Sequence, residues 1–443
     1  MSIGIRAAAT YVPRYRLSAA GIREAGRSGG RGSRSLAGHD EDSLTMAVEA
    51  ARRLPAALLD DVETVVFCTT SPPYLVKNNA TAAHAALGLP STVPAYDLGG
   101  AVRSVVGALL TARPGTLLLA ADVATARPGG PTELDHGDGA VAVLIGAEDS
   151  DVVLTRHEHV SEELLDIWRL PEQPSPSVAE DRFPVSRYLP MAERLGAGLD
   201  GADRVVVSGP SARAVAAVRK VASAWGKVSP PRDTGFTGAA DLLSQVVGAV
   251  AGADAGTTVA ALSVSDGADL LVLDVRQPPA FVDHRVEGIE PPYLTALTWR
   301  GTVSPQPPRR PEPGVVSAPA AARGAPWKYG LRAATCLDCG HVSTPPQLVC
   351  VRCRSQRHSD PVDLTRAEPT IRTFSVDRLA YSLAPPLVAA VVGFEGGARL
   401  EIELTDTDPE QLAVGRRLRM TFRRRHSSGG VHNYAWKATV TEE

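Results

Sequence analysis

The chain has 443 residues, of which 44% are hydrophobic and 21% charged, enough apolar material for two to four packed domains of ordinary size. The formal net charge of −3 gives no global attraction toward nucleic acid or an anionic membrane, so any polyanion site must be local. No basic flank and apolar stretch of signal-peptide type opens the sequence, and no run of about 18 apolar residues occurs, so a cytoplasmic protein without a membrane span is expected.

From residue 1 to about 278, β-rich apolar runs alternate with Ala-rich helical stretches, the rhythm of a layered α/β domain. Residues 65–69 and 116–121 read as strands. Residues 42–53, with Leu44, Met46, Ala47 and Ala50 at helical spacing, read as an amphipathic helix. The Gly/Ser/Arg-rich stretch 25–35 reads as a loop. Prolines crowd from 278 to 326, a run from which no packed element is readily built, and a long connector is expected there. Beyond it, alternation such as RLEIEL at 399–404 suits a small β-barrel. The expected divisions are 1–150 and 151–278 as two halves of one α/β domain, 279–328 as connector, 329–358 as a cysteine-bearing segment and 359–443 as the barrel.

Four of the five cysteines form Cys336-x2-Cys339-x10-Cys350-x2-Cys353, with Cys68 alone far upstream. Two CxxC knuckles can place four thiolates tetrahedrally around one Zn²⁺, and Gly340 permits the tight turn after the first pair. With all four positions filled by protein, the ion is structural; a redox dithiol needs a single CxxC beside a βαβ unit. The barrel carries Arg416, Arg417, Arg419, Arg423, Arg424 and Arg425, together with Tyr434 and Trp436. These residues suit nucleic acid, with the aromatics stacking bases, or the phosphates of an anionic cofactor such as coenzyme A, or a plain solvated strand face.

Seven blocks in order then carry a resemblance: GIRAAATYVPRYRL at 4–17, DEDSLTMAVEAA at 40–51, FCTTSPPYLVKNNA at 67–80, AADVATARPGGPTELDHGDGAVAVLIG at 120–146, DIWR at 166–169, EDRF at 180–183 and GFTGAADLL at 235–243. They are similar to the hydroxymethylglutaryl-CoA synthase and ketoacyl synthase III branch of the thiolase superfamily. From about Tyr329, CLDCG at 336–340, PPQLVCVRC at 345–353, PLVAAVVGFEGGARLEIELTD at 386–406 and MTFRRRHSSGGVHNYAWK at 420–437 resemble the acyl-CoA-associated zinc-ribbon/OB module of the DUF35 type. The resemblance implies a five-layered αβαβα domain of two similar halves followed by a zinc ribbon and an OB-fold. It further implies a coenzyme A thioester as ligand, a homodimer through the thiolase-like domain and a thiolase-like catalytic partner. Coenzyme A is thereby favoured over nucleic acid, and Arg423, Arg424 and Arg425 become candidate contacts for its phosphates.

Condensing enzymes of this branch need a thiolate at a helix start, a His and a His or Asn. The counterpart of the cysteine segment is Ala95-Tyr96-Asp97-Leu98-Gly99-Gly100-Ala101-Val102, with Val102 at the cysteine position. Ser208 follows the strand where the histidine is expected, and Phe236 stands in Gly235-Phe236-Thr237 where the family has asparagine. The resemblance therefore implies a chain unable to run cysteine-dependent Claisen chemistry. Its expected role is a subunit supporting C–C bond formation or cleavage by a thiolase-like partner. The alternative is an autonomous aldolase-like or acyltransferase-like enzyme, with His136, Tyr74, Cys68 and Ser104 as candidate groups and Asp266 among other polar residues of the cleft. Asp138, in a Gly-Asp-Gly turn, reads as a loop brace.

Overall fold

The computed structural model describes residues 3–27, 30–306, 314 and 317–441; part of the 25–35 loop and most of PPRRPEPG at 307–314 lie outside the described residues. The chain forms two compact units. The first comprises 1–38, 42–81 and 91–300, and the second takes in 39–41, 82–90 and 301–443.

In the first unit, one strand pattern occurs twice. The first half has β1 (Ile3–Tyr11), β2 (Thr64–Cys68), β3 (Ala95–Asp97), β4 (Thr116–Asp122) and β5 (Gly139–Gly146), ordered β3-β2-β4-β5-β1. The second half has β6 (Val152–Ser161), β7 (Ala202–Ser208), β8 (Gly226–Val228), β9 (Thr258–Val264) and β10 (Gly267–Val275), ordered β8-β7-β9-β10-β6. In each half the first two pairings along this order are parallel and the last two antiparallel. Antiparallel pairing of Ile3 with Leu154, Gly4 with Val153 and Ile5 with Val152 joins the two.

Strand periodicity sorts side chains into separate layers. On β7 and β9, Val206, Val259 and Ala261 face one core, which they share with Val105, Val106 and Leu109 of helix α2 (Ser104–Thr111) and Leu242, Leu243 and Val246 of α5 (Asp241–Val250). The alternate residues Val205, Val207, Ala260 and Leu262 face a second core against α3 (Arg182–Leu195) and α4 (Ala212–Ala222). Helix α1 (Ser43–Ala51) packs on β1, β4 and β5. The order α1, sheet, α2 with α5, sheet, α3 with α4 is αβαβα. Helix α1 is buried on every side rather than along one stripe; its Glu49 is neutralised by Arg52 at 2.8 Å. Asp42 caps it in a reciprocal box with Thr45.

The stretch expected as an unpacked connector carries real elements. Helix Tyr293–Trp299 starts after Pro292 and buries Tyr293 and Ala296 against Leu17, Ile22 and Leu36. Helix Ala318–Lys328 has a proline in its first turn. Proline there forfeits no helical hydrogen bond, so a proline-rich stretch can still start both helices; Pro326, inside the second, removes one donor in its last turn.

The second unit holds a three-stranded ribbon of Arg332–Thr335, Val342–Ser343 and Val362–Asp363. After it come β11 (Thr370–Asp377), β12 (Leu387–Gly393), β13 (Arg399–Leu404), β14 (Leu418–Ser428) and β15 (Val431–Val440), ordered β11-β12-β13-β15-β14. The β13–β15 pairing is parallel, and a Thr370–Arg417 bridge with Ile371 N–H donating to Arg416 O at 3.0 Å brings β14 back to β11. That is the closed five-strand Greek key of an OB-fold. Ile371, Val392, Met420, Phe422, Tyr434 and Trp436 fill it.

Candidate functional site

The segment 101–104 turns into α2, with Ser104 N–H donating to Ala101 O and Val105 N–H to Val102 O. It opens on a cleft of about 610 Å³ whose polar lining comes from three elements: Arg103 and Ser104 at the helix start, Ser161, Glu162 and Glu163 at the end of β6, and Asp266 between β9 and β10. Asp266 at φ +50° and Gly267 at φ +115° carry the tight turn between the paired residues Val264 and Ala268, which places this carboxyl on the cleft. Burial, then Asp166, holds the Asp266 carboxyl above its usual range, with Arg103 opposing.

Arg103 lines the cleft but has no donor to spare. Its Nε bonds Asp269 at 2.7 Å, one amino group bonds Ser161 Oγ and Asp266 O, and the other Val160 O and Asp269. A guanidinium has five N–H donors, and these five bonds use them all. The side chain therefore ties helix start, strand end and hairpin together. Around it stand three carboxylates, of which Glu162 pairs with Arg187. The Ser104 hydroxyl makes a contact of 3.5 Å to Gly99 O.

The other sequence-predicted positions lie outside the lining of this cleft, within the same unit. His136 Nε2 donates to Pro210 O at 2.8 Å, and its ring stands edge-on to Phe236 at 5.1 Å. Burial lowers the His136 pKa, so the ring is neutral at pH 7 with Nδ1 as acceptor. Ser208 is buried and lies by the Asp241 carboxyl, which burial raises against the restraint of Ser208, Gln245 and Thr237. Val102 is half-buried at the helix start. Tyr74 sits half-buried in a turn closed by its N–H on Asn79 Oδ1, with Lys77 over its ring.

Cys68 is a correction to the list of candidate catalytic groups. It is fully buried in the central core, and burial, with Asp122 and Asp97 nearby, pushes its thiol up to about 12. A thiol kept protonated there is not a nucleophile. Asp138 braces as read: it accepts from Ala37 and Ala124 N–H and pairs with Arg300 and Arg34. Asp122, unforeseen from the sequence, performs the same service for the SPPY turn, accepting from Thr69, Thr70, Ser71 and Ala239.

In the second unit Cys336 and Cys353 have sulfurs 3.5 Å apart, Cys339 and Cys350 3.6 Å, and all four lie within 4.8 Å of one another. A tetrahedral ion with about 2.3 Å metal–sulfur bonds requires sulfurs about 3.8 Å apart, so the four residues fit zinc. The knuckles repeat each other: Gly340 N–H donates to Cys336 O and Arg354 N–H to Cys350 O, each turn ending in a positive φ of 71° and 61°.

The barrel arginines correct the sequence reading. Arg423 is 1% exposed, with Asp406 at 2.9 Å, Glu41 at 3.2 Å and Asp40 at 3.6 Å, and is no phosphate contact. Lys437 joins the same network through Asp40 and Glu403, both at 3.0 Å. Arg424 is half-buried and donates to His39 O, while Arg425 is exposed and pairs with Glu403. Tyr434 and Trp436 are buried against Phe422, with Trp436 Nε1 donating to Tyr329 O at 2.6 Å. Barrel packing thus removes the base-stacking platform that the nucleic-acid reading required.

The fold and the four-cysteine knuckles together define a thiolase-fold chain carrying a zinc ribbon and an OB-fold. Residues 328–359 match the family model described as "ChsH2, rubredoxin-like zinc ribbon domain", and 362–423 match "ChsH2, C-terminal OB-fold domain". A DUF35 domain-containing scaffold protein of Methanothermobacter thermautotrophicus is 30% identical over 120 residues, which cover 26% of this chain and 90% of that one. Hydroxymethylglutaryl-CoA synthases of Thermococcus onnurineus and Aeropyrum pernix are 34% identical over 167 residues and 33% over 201, covering 34% and 40% of this chain. The chain spans about half the length of these synthases, 47% and 55% respectively. Among solved structures, an HMG-CoA synthase complexed with CoA superposes with a TM-score of 0.53 at 19% identity, over 68% of this chain and 87% of that one. The chain belongs to the DUF35 family through its ribbon and barrel, fused to a hydroxymethylglutaryl-CoA synthase-like thiolase fold. Among the described residues no helix is long and apolar enough to cross a membrane.

Proposed function

We propose that this chain binds acyl-CoA and supports C–C bond formation or cleavage by a thiolase-like partner, without forming an acyl-enzyme itself. One observation carries the reading: the cleft at the start of α2 is lined by Glu162, Glu163 and Asp266, its guanidinium Arg103 has every donor engaged, and its hydroxyls, Ser104 and Ser161, have no histidine in the lining to act as a base. Carboxylates there would raise the pKa of any thiol at that position and repel the tetrahedral oxyanion. Ser208 and Phe236 add no imidazole or amide. Coenzyme A enters by likeness to the HMG-CoA synthase solved with it, and zinc enters as the ion the four thiolates would hold to fold the ribbon. β3, the last strand of the sheet among the described residues, exposes Tyr96, and Leu98 just beyond it is exposed as well, which supports a homodimer through this unit.

The test is Val102→Cys. Incubated with acetyl-CoA, this variant and the parent are expected to remain free of covalent acetyl by intact-mass measurement. A stoichiometric acetyl adduct on the variant would show that the cleft retains oxyanion stabilisation and would overturn the reading.

A second reading, acid–base C–C chemistry without an acyl-enzyme, is favoured by the raised pKa of Asp266 in the cleft, which suits a general base. If it holds, Asp266→Asn abolishes C–C cleavage of an acyl-CoA aldol substrate by the isolated chain; absence of any such activity in the parent chain removes it.

A further inference from the structure

The basic run of β14 and the end of the helix Ala318–Lys328 meet on the outside of the barrel. Along β14 the pairing with β15 steps from Arg424–Tyr434 to His426–Asn433, so Arg425 is an extra residue in a β-bulge. Tyr434 fills the barrel, so Asn433 and its partner His426 face outward. Arg425 leaves by the same face, because its partner Glu403 also bonds Lys437, an even number of residues from Asn433 on β15. An uninterrupted strand would have sent Arg425 and His426 to opposite faces; the bulge gives them one.

The donors on this face are unevenly used. Lys328 Nζ donates to Asn433 Oδ1, which turns the amide nitrogen toward His426, at 3.3 and 3.4 Å from its ring nitrogens. Trp436 Nε1, donating to Tyr329 O, pins the residue after Lys328 to the barrel. Lys328 is half-buried and has no carboxylate partner among the described residues. Arg425 bonds Glu403 through Nε alone, at 2.7 Å, and its two terminal amino groups have no partner among the described residues. Glu403 offsets this guanidinium only in part, since the same carboxylate also bonds Lys437 at 3.0 Å. Burial and then Arg425 lower the Lys328 pKa, and burial and then Arg425 lower that of His426, with Glu403 opposing. Like charges held this close are relieved by an anion.

We infer that Lys328, Arg425 and His426 form a binding site for a phosphomonoester dianion, supplied as the ribose 3′-phosphate of a coenzyme A thioester or as free inorganic phosphate. A guanidinium with both amino groups free presents a planar fork to two phosphate oxygens, and an ammonium beside it adds a point charge. The Asn433 amide holds the lysine and the imidazole together for a third oxygen. The first source rests on the acyl-CoA binding proposed above, and the second does not. Of the basic run only Arg425 and His426 serve this site, and the lysine that completes it is remote in sequence.

The experiment is calorimetric titration of the untagged full chain with coenzyme A, with dephospho-coenzyme A, which lacks only the 3′-phosphate, and with inorganic phosphate, repeated on Lys328→Gln and Arg425→Gln. Arg425 is exposed, so its variant is expected to fold, and circular dichroism checks both variants. If the coenzyme is the source, the parent binds coenzyme A about tenfold more tightly than dephospho-coenzyme A, and each variant loses about that factor for coenzyme A alone. Lys328→Arg, which keeps the charge, then keeps most of the preference. If free phosphate is the source, the two coenzymes do not differ and inorganic phosphate binds the parent about tenfold more tightly than either variant. Failure of coenzyme A to bind at all would remove the proposed function and leave the phosphate titration to decide the site. A parent that shows neither the coenzyme preference nor phosphate binding sensitive to Lys328 and Arg425 would overturn the site.

Discussion

The ribbon and the helix-start cleft stand in opposite relation to the chemistry their surroundings are built for. In the ribbon every ligand is present and the backbone turns that present them are repeated at Cys336–Gly340 and Cys350–Arg354. Around the cleft the scaffold is intact, from the two matching strand patterns to the helix start, while the positions that the proposed function compares with a condensing triad hold Val102, Ser208 and Phe236. On the function proposed above, the fold outlasts the chemistry of one site while depending on the chemistry of another, because the thiolase layers are held by apolar burial and the ribbon is too small for that.

The largest expected effect falls on the ribbon. Removing the metal with a strong chelator, or Cys350→Ser, is expected to unfold it, because binding energy there is folding energy. Limited proteolysis should then cut within 329–358 while the melting of the first unit is unchanged. Survival of an uncut ribbon after chelation would erase the contrast.

Next comes the buried ion network of the second unit. Arg423→Met leaves Asp40, Glu41 and Asp406 without a shared cation and should cost about 3–5 kcal/mol. Arg425→Met, at an exposed pair, should cost less than about 1 kcal/mol. Urea unfolding of the two variants measures both.

The two units should also part company in acid. For Asp40 burial pushes the pKa up, but Lys437, His39 and Arg423 outweigh it and hold the carboxyl below its ordinary value. Its stabilisation is present above about pH 4 and lost as pH falls through the depressed pKa. Asp122 and Asp241 are raised by burial and held mainly by neutral donors. Their contribution is full below about pH 4 and is lost as pH rises through their raised pKa. Calorimetry from pH 7 downward should therefore show the second unit failing below about pH 4 while these two groups favour the first.

The smallest effect compares the two knuckles with each other. Arg354→Gly should stabilise the ribbon by about 1 kcal/mol, since arginine there holds the left-handed conformation that glycine already provides at Gly340. Zinc-affinity measurements on the variant check it.

What could be read from the sequence follows the same division. The ribbon was legible because its ligands are neighbours in the chain, and the barrel because RLEIEL alternates with its pleat. The layered domain was legible from ordered motifs. The roles of Asp40 and Glu41 were not: they sit in a block matching the synthases, yet they are counter-ions of Arg423 and Lys437, remote in sequence. The Arg103 latch was equally hidden, since its acceptors on β6 and the β9–β10 turn come together only in the fold. Burial of Tyr434 and Trp436 could not be told from exposure, because an aromatic on alternate barrel positions suits either face.

The most direct test of the account is calorimetric titration of the full chain with acetyl-CoA, paired with intact-mass measurement of the same sample. The account predicts saturable binding with no covalent acetyl on the protein. An acetyl adduct, or no binding of acetyl-CoA at all, would contradict it.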